Sequence, residues 1–250
     1  MPAHQSIQID FVETIKKDLS GYTLIEGFPG MGLAGTIASK YLVERLKFKE
    51  IGFIDANIFV PIIRIHEGIP VYPSRIYVND ENKLVVLISE QIIPRFYTAK
   101  IAKAVVDWTI AKKISRVISL AGINTDDTMQ RGTVFGIAAN PASLDFLKKS
   151  DVEIIQDGIT TGVTALILLE LRKTNIEAIS ILGNVKIQAD YKAAASLIEK
   201  LNSMLGLKIN IEPLLKEARE TEEALLKQMN EVKKTHSDIQ KIENDAPMYT

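Results

Sequence analysis

The chain has 250 residues, 46% hydrophobic and 24% charged, enough to bury one full-sized core and carry an appendage. Its 30 basic and 31 acidic residues leave a net charge of -1, which supplies no broad field for a nucleic-acid backbone or an anionic membrane. The absence of cysteine excludes disulfides, thiolate nucleophiles, iron–sulfur clusters and cysteine-ligated zinc, and suits a reduced compartment.

The first seventeen residues, MPAHQSIQIDFVETIKK, lack the basic segment and following apolar core of a secretory signal. The longest apolar stretch, Val163 to Leu169, is far short of the roughly 20 residues that span a bilayer. A cytoplasmic protein is expected.

From Gly21 to about Gly206, short β-branched runs alternate with longer segments of helical period, the pattern of an α/β layered domain. The runs predict strands at Tyr22–Glu26, Ile51–Ala56, Arg75–Val78, Leu84–Ser89, Arg116–Ala121, Glu153–Ile155 and Ala178–Gly183. Apolar stripes bounded by Gly, Asn or charged turns predict helices at Leu33–Leu46, Ala99–Lys112, Pro141–Lys149, Gly162–Lys173 and Tyr191–Leu205. Such alternation favours a mostly parallel sheet covered on both faces. Between Phe59 and Asp80, Pro61, Pro70 and Pro73 leave no room for a helix, so edge strands or a projecting hairpin are expected there.

The most conspicuous motif, Gly27 to Gly35 (GFPGMGLAG), stands where the first predicted strand meets a helix. Gly30, Gly32 and Gly35 match the G-x-G-x-x-G spacing, with Asp55 twenty residues beyond the last of them, as a dinucleotide fingerprint asks. Pro29 weighs against that reading, because it removes an N–H and fixes φ where a pyrophosphate would approach. The alternative is a tight structural turn whose glycines permit positive φ and close helix–sheet packing. No Lys-Ser/Thr follows the glycines, so the turn is no ATPase phosphate loop.

A second loop, Gly122 to Gly132, carries Asp126, Asp127 and Arg131 at a strand end, where α/β sheets place active sites. Adjacent aspartates are also common turn formers, and no nearby His completes a metal-ligand set. His4, His66 and His236 are scattered between a terminal arm, the proline-rich insertion and the last helix, which speaks against a shared metal or triad. Neither a catalytic residue, a metal site nor a cofactor is predicted.

Beyond Ile211, Pro213 opens a stretch without Gly or Pro that runs to Glu243. Leu215, Ala218, Leu225, Met229, Val232 and Ile239 fall on one seam, predicting a long amphipathic helix that packs on the body or on a sister chain. Asn244 to Thr250 contains Pro247 and small polar residues and is expected to form a flexible tail. The predicted organisation is therefore an α/β domain over residues 1–211, a helical extension over 212–243 and a tail over 244–250.

The segment from Glu26 to Gly35, with its proline and its Gly-Met-Gly, resembles the signature turn of the proteasome assembly chaperone family. The resemblance extends over roughly residues 10 to 210, taking in Pro61–Pro73, Ser119–Gly122 and Gly158–Gly162. It implies a three-layer α/β/α sandwich similar to the nucleoside phosphorylase architecture, a non-enzymatic role, and a homo-oligomer, with a tetramer favoured. It also lends weight to the last three residues. Met248-Tyr249-Thr250 is similar to the hydrophobic–tyrosine–any-residue terminus with which proteasome activators dock between α-subunits of the core particle. Met248 would fill an apolar slot, Tyr249 a pocket, and the Thr250 carboxylate would pair with a basic group. The competing expectations are a nucleotide- or nucleoside-binding enzyme that uses the Gly27–Gly35 turn, and a plain scaffold zipped together by its terminal helix.

Overall fold

A computed structural model describes residues 6–125, 132–186, 188–216, 227 and 230–231. The strands are β1 (Ile9–Glu13), β2 (Thr23–Gly27), β3 (Lys49–Ala56), β4 (Arg64–His66), β5 (Ile69–Val71), β6 (Ser74–Asn79), β7 (Leu84–Ser89), β8 (Arg116–Ile123), β9 (Val134–Ala138), β10 (Glu153–Ile154) and β11 (Glu177–Asn184). The α-helices are α1 (Ala34–Arg45), α2 (Thr98–Ala111), α3 (Pro141–Lys148), α4 (Val163–Leu171) and α5 (Tyr191–Leu205).

Nine strands form one sheet in the order β1-β3-β6-β7-β2-β8-β11-β9-β10, and β4 pairs with β5 as a separate hairpin. The parallel arrangement anticipated from the alternating pattern holds at the centre, where β7, β2, β8 and β11 run together. On one flank the pairs β1–β3, β3–β6 and β6–β7 are antiparallel, and on the other β9 runs against β11. The physical reason lies in the connections: the Asp80–Lys83 link between β6 and β7 is short enough to join only antiparallel strands, whereas parallel neighbours need a crossover helix.

Buried on both faces, β2 and β7 are buried along their whole length, as central strands must be. Helices α1, α3 and α5 cover one face through Ile37, Leu147 and Leu197, while α2 and α4 cover the other through Ile101, Trp108 and Ile167. The result is a three-layer α/β/α arrangement. The helix ends follow local chemistry: the Asn140 and Asp190 side chains accept from the N–H groups of Ser143 and Ala193, and left-handed Gly206 closes α5.

Two strands, β1 and β9, lie where no strand was expected. β1 (IDFVE) has no buried residue and carries acids at two of its five positions, so it shows no apolar run, whereas β9 (VFGIA) is apolar throughout but only five residues long and interrupted by Gly136. The projecting hairpin expected within Phe59–Asp80 is β4–β5. After α5 the backbone is helical again at residues 212–216 and at Lys227, Asn230 and Glu231. The rest of the anticipated terminal helix and the tail lie outside the described residues. No described helix is long and apolar enough to cross a membrane.

Candidate functional site

Strand β2 leads through α1 to β3 on one side of the sheet, while the chain leaving β8 builds β9, β10 and β11 on the other. The C-terminal ends of β2 and β8 therefore flank a topological switch point, where open α/β sheets form their ligand crevice. A cleft of about 900 Å³ lies at this point. One wall is the turn from Phe28 to Met31, the floor includes Ala121–Ile123, and the far wall is Ile155–Gly162 with the first residues of α4. Phe28, Met31, Phe135, Ile137 and Ile159 make it largely apolar, Glu153 and Asp157 contribute acids, and no Lys, Arg or His of the described residues lines it. Among the described residues a phosphate would find only backbone amides and hydroxyls here, without the cationic side chains that make a phosphate site strong.

The glycine turn is shaped by its packing. A Cβ on Gly35 would approach the Leu120 carbonyl oxygen to 2.0 Å, and one on Gly27 would stand 2.5 Å from the carbonyl oxygen of Gly35. Gly32 has φ +59° and lies against Val185, whereas a Cβ on Gly30 would meet nothing nearer than 3.9 Å. Pro29 and Gly30 line the cleft, and the Asp190 N–H donates to the Gly32 carbonyl at 2.8 Å. Asp55, which completed the dinucleotide spacing, is on β3, separated from β2 by β6 and β7. Such a fingerprint needs its acid on a strand adjacent to the turn, so the spacing coincides without the geometry.

Directly before the turn, Glu26 is fully buried. Its Oε2 accepts from the Phe28 N–H and the Thr164 hydroxyl, each at 3.3 Å, and so ties the turn to α4. Its Oε1 has no hydrogen-bond partner, although the Ser119 hydroxyl adjoins the carboxyl and offsets part of its desolvation. Burial dominates and pushes the carboxyl up to about 7. Sequence reasoning passed over this residue. Its signal was a lone acid inside the otherwise apolar or neutral strand Thr23–Gly27.

At the same end of the sheet, a buried ion network roots the β4–β5 hairpin. Glu90 Oε2 meets the Arg64 guanidinium at 3.0 Å and that of Arg75 at 3.1 Å, and Arg75 also lies 3.8 Å from Glu50. The Gln91 side-chain amide donates to the Val60 carbonyl at 3.0 Å, and the rings of Phe53 and Tyr72 stack at 3.5 Å. Burial, and then the positive charge of Arg64, lower the Lys40 amine. Beyond this rooted base Ile63, Ile65 and Ile69 remain exposed.

Of the residues singled out from the sequence, Pro29 and Gly30 line the cleft, Gly27, Gly32 and Gly35 belong to the same turn but pack against Ser39, Val185 and Leu120, and His66 is on the hairpin. Asp126, Asp127, Arg131, His4, His236, Met248, Tyr249 and Thr250 lie outside the described residues. Among the described residues no three His, Asp or Glu side chains gather as metal ligands.

The profile described as "PAC2 family" matches residues 24–229. An uncharacterised protein of Methanocaldococcus jannaschii is 33% identical over 241 residues, covering 96% of this chain and 97% of that one. The crystal structure of Pyrococcus furiosus PbaA, an archaeal homolog of proteasome-assembly chaperone, matches with a TM-score of 0.80 and 31% identity, over 92% of this chain and 100% of that one. Pyrococcus furiosus PbaB, an archaeal proteasome activator, shares the fold with a TM-score of 0.74 at 23% identity, over 88% of this chain and 98% of that one.

Proposed function

Because the chain belongs to the PAC2 family, we propose that it binds the proteasome core particle and serves as an assembly chaperone or activator. The observation that carries this reading is the likeness to PbaA along the whole of that protein at 31% identity. The action is non-enzymatic and independent of ATP: the glycine turn has no phosphate-loop Lys, and the cleft beside it offers no cationic side chain of the described residues to a phosphate.

Docking uses Met248, Tyr249 and the carboxylate of Thr250, which enter pockets between neighbouring α-subunits. Three residues offer little contact area, and ordering them opposes binding, so a single tail is weak. A homo-oligomer, with a tetramer favoured, presents several tails together. Later docking events then become intramolecular, and avidity exceeds single-tail affinity by roughly 10²–10⁴. The protein acts in the cytoplasm, where core particles assemble. The test is co-migration of proteasome α-rings with the intact chain and with a chain lacking Met248–Thr250. Binding by the first and not by the second supports the tail as the anchor; equal binding by both moves the contact onto the α/β body.

A further inference from the structure

A row of polar side chains crosses the sheet just beneath the cleft. Glu26 on β2 is in register with Ser119 on β8, and Ser119 with Ser180 on β11, so the three stand side by side across adjacent parallel strands, all of them buried. Two residues further along each of these chain segments come Phe28, Ala121 and Leu182, which line the cleft. Residues two apart on a strand point to the same face, so the polar row is one layer, about 7 Å, below that lining. Thr164 at the start of α4 lines the cleft as well and donates to Glu26 Oε2, whereas Glu26 Oε1 has no hydrogen-bond partner. A buried acceptor left unpaired is costly, and where one persists it calls for a role. The walls share its preference. Glu153 and Asp157 line the cleft, no Lys, Arg or His of the described residues does, and Pro29 takes one N–H donor out of the turn.

We propose that the cleft binds a small organic cation of the aryl-alkyl amine class, its apolar body against Phe28, Phe135 and Ile159 and its ammonium directed past the small Ala121 side chain toward the Glu26 carboxyl. An anion of the same size would meet Glu153 and Asp157 with no described cationic side chain to offset them. A neutral apolar molecule would satisfy the walls and leave Glu26 Oε1 unpaired. A primary ammonium brings three donors, enough for Oε1 and for hydroxyl or carbonyl oxygens around it, and the Phe28 and Phe135 rings favour a nearby positive charge. The volume of about 900 Å³ is that of a small-molecule site, and the place, at the switch point of the sheet, is where such folds hold ligands. The groups that act on Glu26 are the Ser119 hydroxyl from β8, the Phe28 N–H from the turn and the Thr164 hydroxyl from α4, with Glu153 and Asp157 as the charged side chains of the cleft. With its carboxyl pushed up to about 7, Glu26 is mostly neutral at pH 6 and ionised at pH 8, whereas an alkyl ammonium keeps its charge at both. Nothing in this site depends on proteasome binding.

The test titrates 2-phenylethylamine, 2-phenylethanol and phenylacetate, which share one ring and differ in charge, into the nitrogen-15-labelled full chain and follows the amide resonances. At pH 8 the amine is expected to move resonances of the glycine turn and of residues 157–163, with a Kd of roughly 1 mM or tighter for so small a probe. The alcohol and the acid should bind at least about tenfold more weakly, as one lost charge-assisted contact implies. Amine affinity should fall about tenfold from pH 8 to pH 6, following the ionised fraction of Glu26. Glu26→Gln should bind the amine equally at both pH values, at the level the parent shows at pH 6, with alcohol binding unchanged. Glu153→Gln with Asp157→Asn should weaken amine binding and keep its pH dependence. No response to the amine at 20 mM, shifts confined to other parts of the chain, or binding of the acid or alcohol as tight as that of the amine would each overturn the proposal. So would amine affinity that is flat between pH 6 and pH 8, or undiminished at pH 8 in Glu26→Gln. The charge series and the pH comparison use the unaltered chain, so they decide the matter even where a substitution disturbs folding. None of these arms contains proteasome, so they can fail while the proposed function stands.

Discussion

Gly35 lies so close to Leu120 that a Cβ on it would stand 2.0 Å from the Leu120 carbonyl oxygen, and α1 therefore rests directly on the backbone of β8. The contact is with main chain, which cannot swing away as a flexible side chain would. We expect Gly35→Ala to cost more than the roughly 1–3 kcal/mol of ordinary core overpacking. Gly30, with φ -148° and open space where a Cβ would stand, should accept Ala within about 1 kcal/mol. Urea unfolding of both variants checks the contrast, and equal losses would contradict the packing account.

The buried Glu26 makes stability depend on pH in a direction opposite to that of a salt-bridged acid. Its folded pKa of about 7 lies above the ordinary carboxyl value of 4.5, so the folded chain holds the proton more tightly than the unfolded one. Stability contributed by this group is complete below about pH 4.5, declines as pH rises toward 7, and is gone above it. Glu26→Gln keeps an acceptor for Phe28 and Thr164 while removing the titration. At pH 8 the variant should be the more stable by up to about 3 kcal/mol, and at pH 5 the two should converge. Denaturant titrations at the two pH values measure this, and a parallel pair of curves would rule it out.

Removing Glu90 leaves the guanidinium groups of Arg64 and Arg75 buried without their shared carboxylate. Breaking a buried ion network in this way costs about 3–5 kcal/mol. Glu90→Ala should lower the melting temperature accordingly and make the β4–β5 hairpin the first site of limited proteolysis. Cleavage that begins elsewhere would show that the network does not root the hairpin.

Nucleotides should leave the chain's melting temperature unchanged. A site with Kd near 10 μM would add about 2.7 kcal/mol at a hundredfold excess of ligand, well within reach of a thermal-shift measurement. A clear shift with millimolar ATP or NAD would revive an enzymatic use of the glycine turn.

Tyr249→Ala is expected to abolish α-ring co-migration at matched salt while leaving fold and oligomer mass intact. A tag after Thr250 should be nearly as harmful, because it removes the free carboxylate, whereas an N-terminal tag should be harmless. Harm from both tags would point away from the tail.

The strands and helices of the α/β body were legible because their burial leaves a periodic record: β2 and β7 are wholly buried runs, and α5 spans the residues its apolar stripe marks. β1 left a weaker record, since a strand with no buried residue needs few apolar residues, and β9 is a short apolar run broken by Gly136. Local chemistry also marked the glycine turn, its proline and the hairpin between Pro61 and Pro73, because φ restrictions act within a few residues. By itself the sequence thus determined the elements, the turn and the likeness to a family. Only the tertiary structure decided which strands run antiparallel, that Asp55 stands away from the turn it was spaced to serve, and that Arg64, Arg75 and Glu90 share one buried site. It alone set Glu26 under the cleft beside Thr164, 138 residues away in the chain. Such pairings depend on strand order and helix placement, which are settled by the whole core at once and leave no mark at any fixed spacing along the chain.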